Sequence, residues 1–307
     1  MDRIEPRMDR TEICITIDTE FSIGGAFANP CAARPIGEEH VYCPAGGEAH
    51  GLPFLLRTFR EFGTRATFFV EALNACHFGD RPMGRIVDEI VAAGQDAQLH
   101  VHPCWLHFRH PDWTEKLAGD PPDDSCAGRT PAELDEIIGE ALDVFGRWNA
   151  PRPIALRTGN LHADLGTYSA MARQGLRIAS NLGVALFRPA DPSLHVYGGG
   201  RWIEDVLELP VLSYVQLALA RLRRYRLLTI TAASWPETRA LLYRARAAGL
   251  SPIVILTHPF EFVKTGRNGR GRAGANRINQ RRLERLCRFL AENDDGFVAT
   301  SFVEAAP

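Results

Sequence analysis

The stretch that most restricts the fold of this chain is Glu12–Glu20, E-I-C-I-T-I-D-T-E. Ile13, Cys14, Ile15 and Ile17 form a near-continuous apolar run. A strand apolar on both faces must be covered on both faces, as happens inside an α/β sheet or barrel. Where it emerges, the strand carries two carboxylates, Asp18 and Glu20. Residues two apart on a strand point the same way, so the pair can converge on one site. Two acids at a buried strand end repel each other and lose hydration unless a cation, a proton or an arginine offsets them. Either they mark a functional centre or they are loop acids after a core strand, and the choice rests on what the other strands carry.

The rest of the chain alternates strand and helix patterns. Leu52–Phe62 reads as an amphipathic helix stopped at Gly63, and Met83–Ala93 as a second ending at Gly94. Thr130 with Glu133 resembles a capping box opening a long helix to about Trp148. Strands are expected at Thr67–Val70, Ala97–His102, Ile154–Arg157, Ile178–Asn181, Leu207–Leu209, Leu227–Thr231, Ile253–Thr257 and Phe297–Thr300. Further helices are expected at Pro236–Ala248 and Asn279–Glu292. The Gly/Ala/Pro-rich connection Gly24–Gly51 is too long for a turn and is expected to be functional or partly mobile, whereas Asp120–Gly128 reads as an acidic surface loop. This alternation, with no mid-chain linker, predicts an α/β fold, a single distorted (β/α) barrel over residues 11–307 behind an N-terminal extension, 1–10.

Composition excludes several classes of function. Lys and Arg total 35 against 37 Asp and Glu, a net charge of −2. No basic excess is present for a phosphate backbone, so nucleic acid is not an expected partner. The first dozen residues are densely charged and lack the apolar core of a secretory signal. No apolar run approaches the roughly 20 residues that span a bilayer. Seven cysteines without C-x-x-C spacing fit a reducing compartment. The expectation is a cytoplasmic protein, with peripheral membrane contact left open and oligomeric state unaddressed.

Barrel enzymes carry their chemistry at the C-terminal ends of the strands. In Q-L-H-V-H-P-C-W, His100 and His102 are two apart and can face one centre. Two histidines with a carboxylate match a catalytic zinc site that keeps one position open for water; the alternative for each is a packed core histidine. His107 and His110 follow and could substitute, or stand as loop residues near the mouth. In A-L-R-T-G-N, Arg157 can hold and orient an acid, and Gly159 lets backbone approach the site. Asp164, just ahead of a helical pattern, reads as an N-cap. I-V-I-L-T-H-P-F ends a core strand in His258, a side chain suited to protonating a leaving amine.

Taken in order, I-T-I-D-T-E, A-T-F-F-V, L-H-V-H-P, R-T-G-N and L-T-H-P-F resemble the motifs of the polysaccharide deacetylase family (NodB homology, carbohydrate esterase family 4), in a bacterial branch with D-T-E at the first motif. The resemblance runs from about Thr11 to Val303. It implies a distorted (β/α) barrel and metal-dependent hydrolysis of N-acetyl groups on amino sugars, with Zn²⁺ or another divalent transition metal. By the same resemblance, Asp18 is the catalytic base, Glu20 the acidic metal ligand, and His100 and His102 the histidine ligands. Arg157 tethers the base and His258 is the general acid. Thr19, Trp105, Asn160 and Phe260, within or beside these motifs, are assigned to substrate binding. Three departures stand out. The usual T-F-D-D-G is absent, which puts Thr19 where a ligand acid often stands and leaves open which acid touches the metal. The histidines are closer than H-[ST]-x-x-H, which keeps His107 as a replacement for His102. V-L-E-L-P around Glu208 lacks the fourth-motif Asp-Trp, so the partner of His258 is not identified.

The expected partner is a carbohydrate or sugar conjugate. A small non-sugar amide and carbohydrate binding without catalysis are the alternatives. The Gly-rich basic segment Lys264–Arg277 is either a solvated loop or a closure over an anionic group on the substrate. The run from Val211 to Arg226 reads either as a core helix with a basic end or as a segment lying on an anionic membrane surface.

Overall fold

The structure is a computed structural model and describes residues 10–117, 122–217, 223–265 and 271–305. Its main sheet contains β1 (Thr11–Thr19), β2 (Ala66–Glu71), β3 (Asp96–Val101), β4 (Ala155–Thr158), β5 (Ile178–Ala179), β6 (Arg201–Ile203), β7 (Val206–Glu208), β8 (Ile253–Thr257) and β9 (Phe297–Ala299). The strand order is β8-β1-β2-β3-β4-β5-β7-β6, with β9 beside the start of β1. Among the described strands of this sheet, only β6 and β7 pair antiparallel. Parallel neighbours need crossovers, and these are supplied by α1 (Leu52–Phe62), α2 (Asp80–Ala92), α3 (Pro131–Arg147), α4 (Leu165–Arg173), α5 (Trp235–Ala247) and α6 (Arg277–Glu292). Single bridges from Val211 to Val254 and from Thr229 to Leu256 bring the chain after β7 onto the edge strand β8 and curl the sheet. The result is the expected α/β architecture, a distorted and mostly parallel (β/α) barrel.

Strand parity sorts the core. Ile13, Ile15 and Ile17 of β1, Phe68 and Val70 of β2, Leu99 and Val101 of β3 and Ile253 and Ile255 of β8 pack in one cluster with helix residues such as Phe59, Ile86, Ile138 and Leu286. The alternate residues Cys14, Phe69, Ala155, Val254 and Leu256 form a second cluster inside the barrel. Because side chains alternate along a strand, Asp18, Glu20, His100, Arg157 and His258 follow the inward parity. Local signals set the helix ends. The side chain of Thr130 accepts from the Glu133 N–H in a full capping box, and Asp164 caps α4 in the same way with Thr167. α1 ends at Gly63 in the left-handed region (φ 61°), where glycine carries no Cβ penalty.

The connection between β1 and α1 contains a short helix, Glu38–Tyr42, and a small hairpin, Pro44–Ala45 with Glu48–Ala49. That helix packs on the 3₁₀ turn Pro259–Phe262 at the end of β8, so the connection folds onto the barrel mouth. Two expectations need correction. The Val211–Arg226 run is not a helix: Ser213–Leu217 and Arg223–Leu227 pair antiparallel as a hairpin, with Val215 opposite Tyr225. Alternating aromatic and β-branched residues found cross-strand partners there, which outweighed the helix propensity of Ala, Leu and Arg. Leu227–Thr231 is accordingly not a barrel strand beyond the single Thr229 bridge. Residues 218–222 of that run, 266–270 of the basic segment, 120–121 of the acidic loop and 1–9 of the N-terminal extension lie outside the described residues. Among the described residues, no helix is long and apolar enough to cross a membrane.

Candidate active site and metal centre

Arg157 sits at the centre of the barrel, fully buried, with its guanidinium 4.2 Å from the centroid of the Phe69 ring. Its Nη1 donates to Asp18 Oδ1 at 2.6 Å and to Thr16 Oγ1 at 2.9 Å. Nε and Nη2 donate to the carbonyl and hydroxyl of Ser180 at 3.2 and 2.7 Å. A guanidinium taken out of water is tolerated only when charge and donors are both met, and Asp18 with this ring of acceptors meets them. The second oxygen, Asp18 Oδ2, points to His258, whose Nε2 lies 3.9 Å away.

Glu20 continues the same strand face and meets both histidines. Its Oε2 is 2.8 Å from His102 Nε2 and 3.5 Å from His100 Nε2. His100 Nδ1 donates to the Arg157 carbonyl at 2.8 Å. A carbonyl can only accept, so that nitrogen is the donor, and Nε2 is the ring atom that faces Glu20. Nδ1 of His102 lies 2.6 Å from Asp124 Oδ2, a carboxylate–histidine contact of the kind that orients metal ligands. Cys104 N–H and Asn160 Nδ2 also donate to Asp124. Burial pushes Glu20 up, but His102 and His100 outweigh it and hold the carboxyl well below its ordinary range. Burial pushes His102 down, but Glu20 and Asp124 outweigh that and hold it well above.

The three ligand atoms lie within 4.8 Å of one another. Two oriented imidazoles and one ionised carboxylate fit a divalent transition metal of the zinc type, for which the proton on His102 is the competitor. A second trio, His102, Cys104 and Asp124, also meets. Asp124 is engaged with His102 Nδ1 there, and burial keeps the Cys104 thiol protonated, so this trio supports the first. Glu71, fully buried at the end of β2, accepts from the backbone N–H of Leu73, Asn74 and His102 and anchors the chain at the ligand. Burial, only partly offset by His102 and these donors, pushes its carboxyl up to about 8.

His258 is held from its own turn. Its Nδ1 is 3.2 Å from Glu261 Oε1, while Glu261 Oε2 accepts from Thr257 Oγ1 at 2.6 Å and from the His258 N–H at 3.3 Å. Burial lowers His258, but the Glu261 hydrogen bond and the charges of Asp18, Glu261 and Glu20 prevail and raise it to about 9. The Phe260 ring stacks on His258 at 4.8 Å and meets the ring of His40, from the β1–α1 connection, at 4.6 Å.

Asp18, Glu20, His100, His102, Arg157 and His258 thus come together, with Phe260 and Asn160 at the rim. Thr19 and Trp105 do not join them. Thr19 follows the outward parity of Ile17, to whose carbonyl its hydroxyl donates, and is fully buried. Trp105 is buried against Phe78 and Phe108. Neither side chain is open to a ligand. His107 is no substitute for His102: its Nε2 donates to the Trp113 carbonyl and its ring meets Phe27. Glu208 does not hold His258; it accepts from Tyr168 Oη and from the N–H groups of Asn181 and Leu182. Sequence reasoning missed Asp124, His40, Glu71 and Glu261. Of these, Glu71 shares the inward parity of Phe69 on its strand and Glu261 is an acid three residues after a helix-capping position; Asp124 and His40 had no local signal.

A barrel with its polar centre at the C-terminal strand ends defines the broad class of this protein. No family model matches the sequence, and no curated protein matches it either. Solved structures do. One from Mycobacterium smegmatis, assigned to the polysaccharide deacetylases, aligns with a TM-score of 0.56 at 18% identity over 97% of this chain and 89% of that one. A family 4 carbohydrate esterase from Streptomyces lividans aligns at 0.44 with 14% identity, over 94% and 91%. A peptidoglycan deacetylase from Bacillus subtilis aligns at 0.43 with 11% identity, over 97% and 90%. The chain has the polysaccharide-deacetylase fold.

Proposed function

We propose that this protein is a metal-dependent hydrolase that removes the N-acetyl group of an amino sugar in a polysaccharide or glycoconjugate precursor. One observation carries the reading: Glu20, His100 and His102 form an oriented cluster directly beside an Arg157-clamped Asp18 and a Glu261-held His258. The fold shared with the M. smegmatis structure agrees with it.

In this reading Glu20, His100 and His102 hold the ion, Zn²⁺ by donor type. When bound, it supplies Lewis acidity that polarises an acyl carbonyl and acidifies water. Arg157 occupies Oδ1 of Asp18, which leaves Oδ2 to accept the proton of the attacking water. His258, raised to about 9, is cationic at neutral pH, and Nε2 gives its proton to the departing nitrogen, an otherwise poor leaving group. Glu261 on Nδ1 keeps Nε2 aimed at the site. The test is acetate release from a panel of N-acetylated sugars, free and conjugated, with and without chelator. Release that chelator abolishes and added zinc restores is the expected result. Release indifferent to chelator, or none from any member of the panel by the zinc-loaded protein, rejects the proposal.

A further inference from the structure

After β8 the chain returns as a two-stranded hairpin, Val263–Thr265 with Arg272–Ala275, whose second strand packs on Pro44–Ala45 of the β1–α1 connection. Arg272 opens that strand and is half-buried. It faces the Cys43 thiol and acts on His40, the residue whose ring meets Phe260 and, through it, His258. The helix that carries His40 packs on the turn Pro259–Phe262 after His258, and the strand of Arg272 packs on the residues that directly follow that helix, so Arg272 stands beside the connection that folds onto the barrel mouth.

The acids there already have partners. Asp18 holds Arg157, Glu20 holds the two histidines, and Glu261 holds His258. Among the described residues no carboxylate forms an ion pair with Arg272. His40 and the Cys43 thiol beside it are uncharged at neutral pH, since burial lowers His40 to about 4 and raises the Cys43 thiol to about 11. A half-buried guanidinium without a counter-charge is costly, and its planar fork matches an oxyanion bidentately.

We propose that Arg272 anchors an anion subsite and that the sugar deacylated here carries a phosphate or a carboxylate. The inference rests on the deacetylase reading but is testable apart from it. The zinc-loaded full chain and its Arg272→Gln variant are given N-acetylglucosamine, N-acetylglucosamine 1-phosphate and an N-acetylhexosaminuronic acid, with acetate release and calorimetric binding both measured. One anionic sugar should exceed the neutral one in kcat/KM by about 10- to 100-fold, the scale of a charge-assisted contact, and that ratio should collapse toward one in the variant. Whichever anion wins identifies the group as phosphate or carboxylate. Equal use of all three sugars by the wild type overturns the subsite and leaves deacetylation standing. If no sugar releases acetate, the deacetylase reading fails. Binding then decides the subsite: anion binding weakened in Arg272→Gln upholds it, and equal binding overturns it.

Discussion

Asp18 and Glu20 share one strand face yet have unlike partners, and the partners decide their chemistry. Asp18 is clamped by a buried arginine at 2.6 Å, while Glu20 lies 2.8 Å from His102. Asp18→Asn should therefore keep full zinc occupancy by elemental analysis while turnover falls by about 10²–10⁴-fold, the usual worth of a general base. Undiminished turnover would remove Asp18 from the mechanism. His258 has to be protonated to act as an acid. Its pKa is raised above the ordinary 6.5 to about 9, so activity should hold through neutral pH and fall as pH rises through about 9. In Glu261→Gln the negative charge that raises it is lost while an amide oxygen can still accept from Nδ1, and the alkaline limb of kcat should move to lower pH. A limb that stays in place would sink the role given to Glu261.

At the scale of elements, the site is made of strand ends steadied by loops. Gly159 follows β4, and a Cβ placed there would lie 2.4 Å from Cε1 and Nδ1 of the His102 ring. That ring is fixed by Asp124 on one nitrogen and Glu20 on the other, so it has little room to yield. The next residues, Asn160 and Leu161, both have φ of 56°, a strained region for side-chain-bearing residues that clusters at functional sites. Gly159→Ala should cost about 1–3 kcal/mol of stability by overpacking and weaken zinc binding in chelator competition. Asp124→Ala should lower zinc affinity by about 10–100-fold with little change in melting temperature. Native zinc affinity in both variants would detach this turn and loop from the centre.

Across the whole molecule, one rule assembles the site: inward parity on β1, β2, β3, β4 and β8 points Asp18, Glu20, Glu71, His100, Arg157 and His258 into one barrel. The polar interior also has a pH cost. Burial raises the Glu208 carboxyl from 4.5 to about 7 despite its hydrogen bonds from Asn181, Leu182 and Tyr168. A raised carboxyl stabilises the fold fully below its unfolded pKa, and that contribution is lost as pH climbs to the folded one. Near 1.4 kcal/mol per pKa unit, the loss is about 3 kcal/mol. The melting temperature of Glu208→Gln relative to wild type should therefore rise between about pH 5 and pH 8, and a constant difference would reject the buried-acid account. Most barrel strands, the Thr130 capping box, the Asp164 N-cap and the inward residues other than Glu71 were legible in the sequence, because caps and a backbone period of two are local and need no partner to be read. Thr19 and Trp105 lie away from the cluster because nearness to a motif says nothing about facing, and the Val211–Arg226 run was misread because helix propensity is weaker than cross-strand pairing. Asp124 and His40 were decided by tertiary structure alone, as was the choice of Arg272 within the basic segment. They stand on connections without a period, and only packing against the barrel mouth brings a loop acid, a loop imidazole and a loop cation beside the strand ends. The sequence by itself determined which strands carry reactive ends and which way those ends point, because alternation along a strand is local; the folded chain decided which charges meet there, because loop residues are placed only by packing on the barrel mouth.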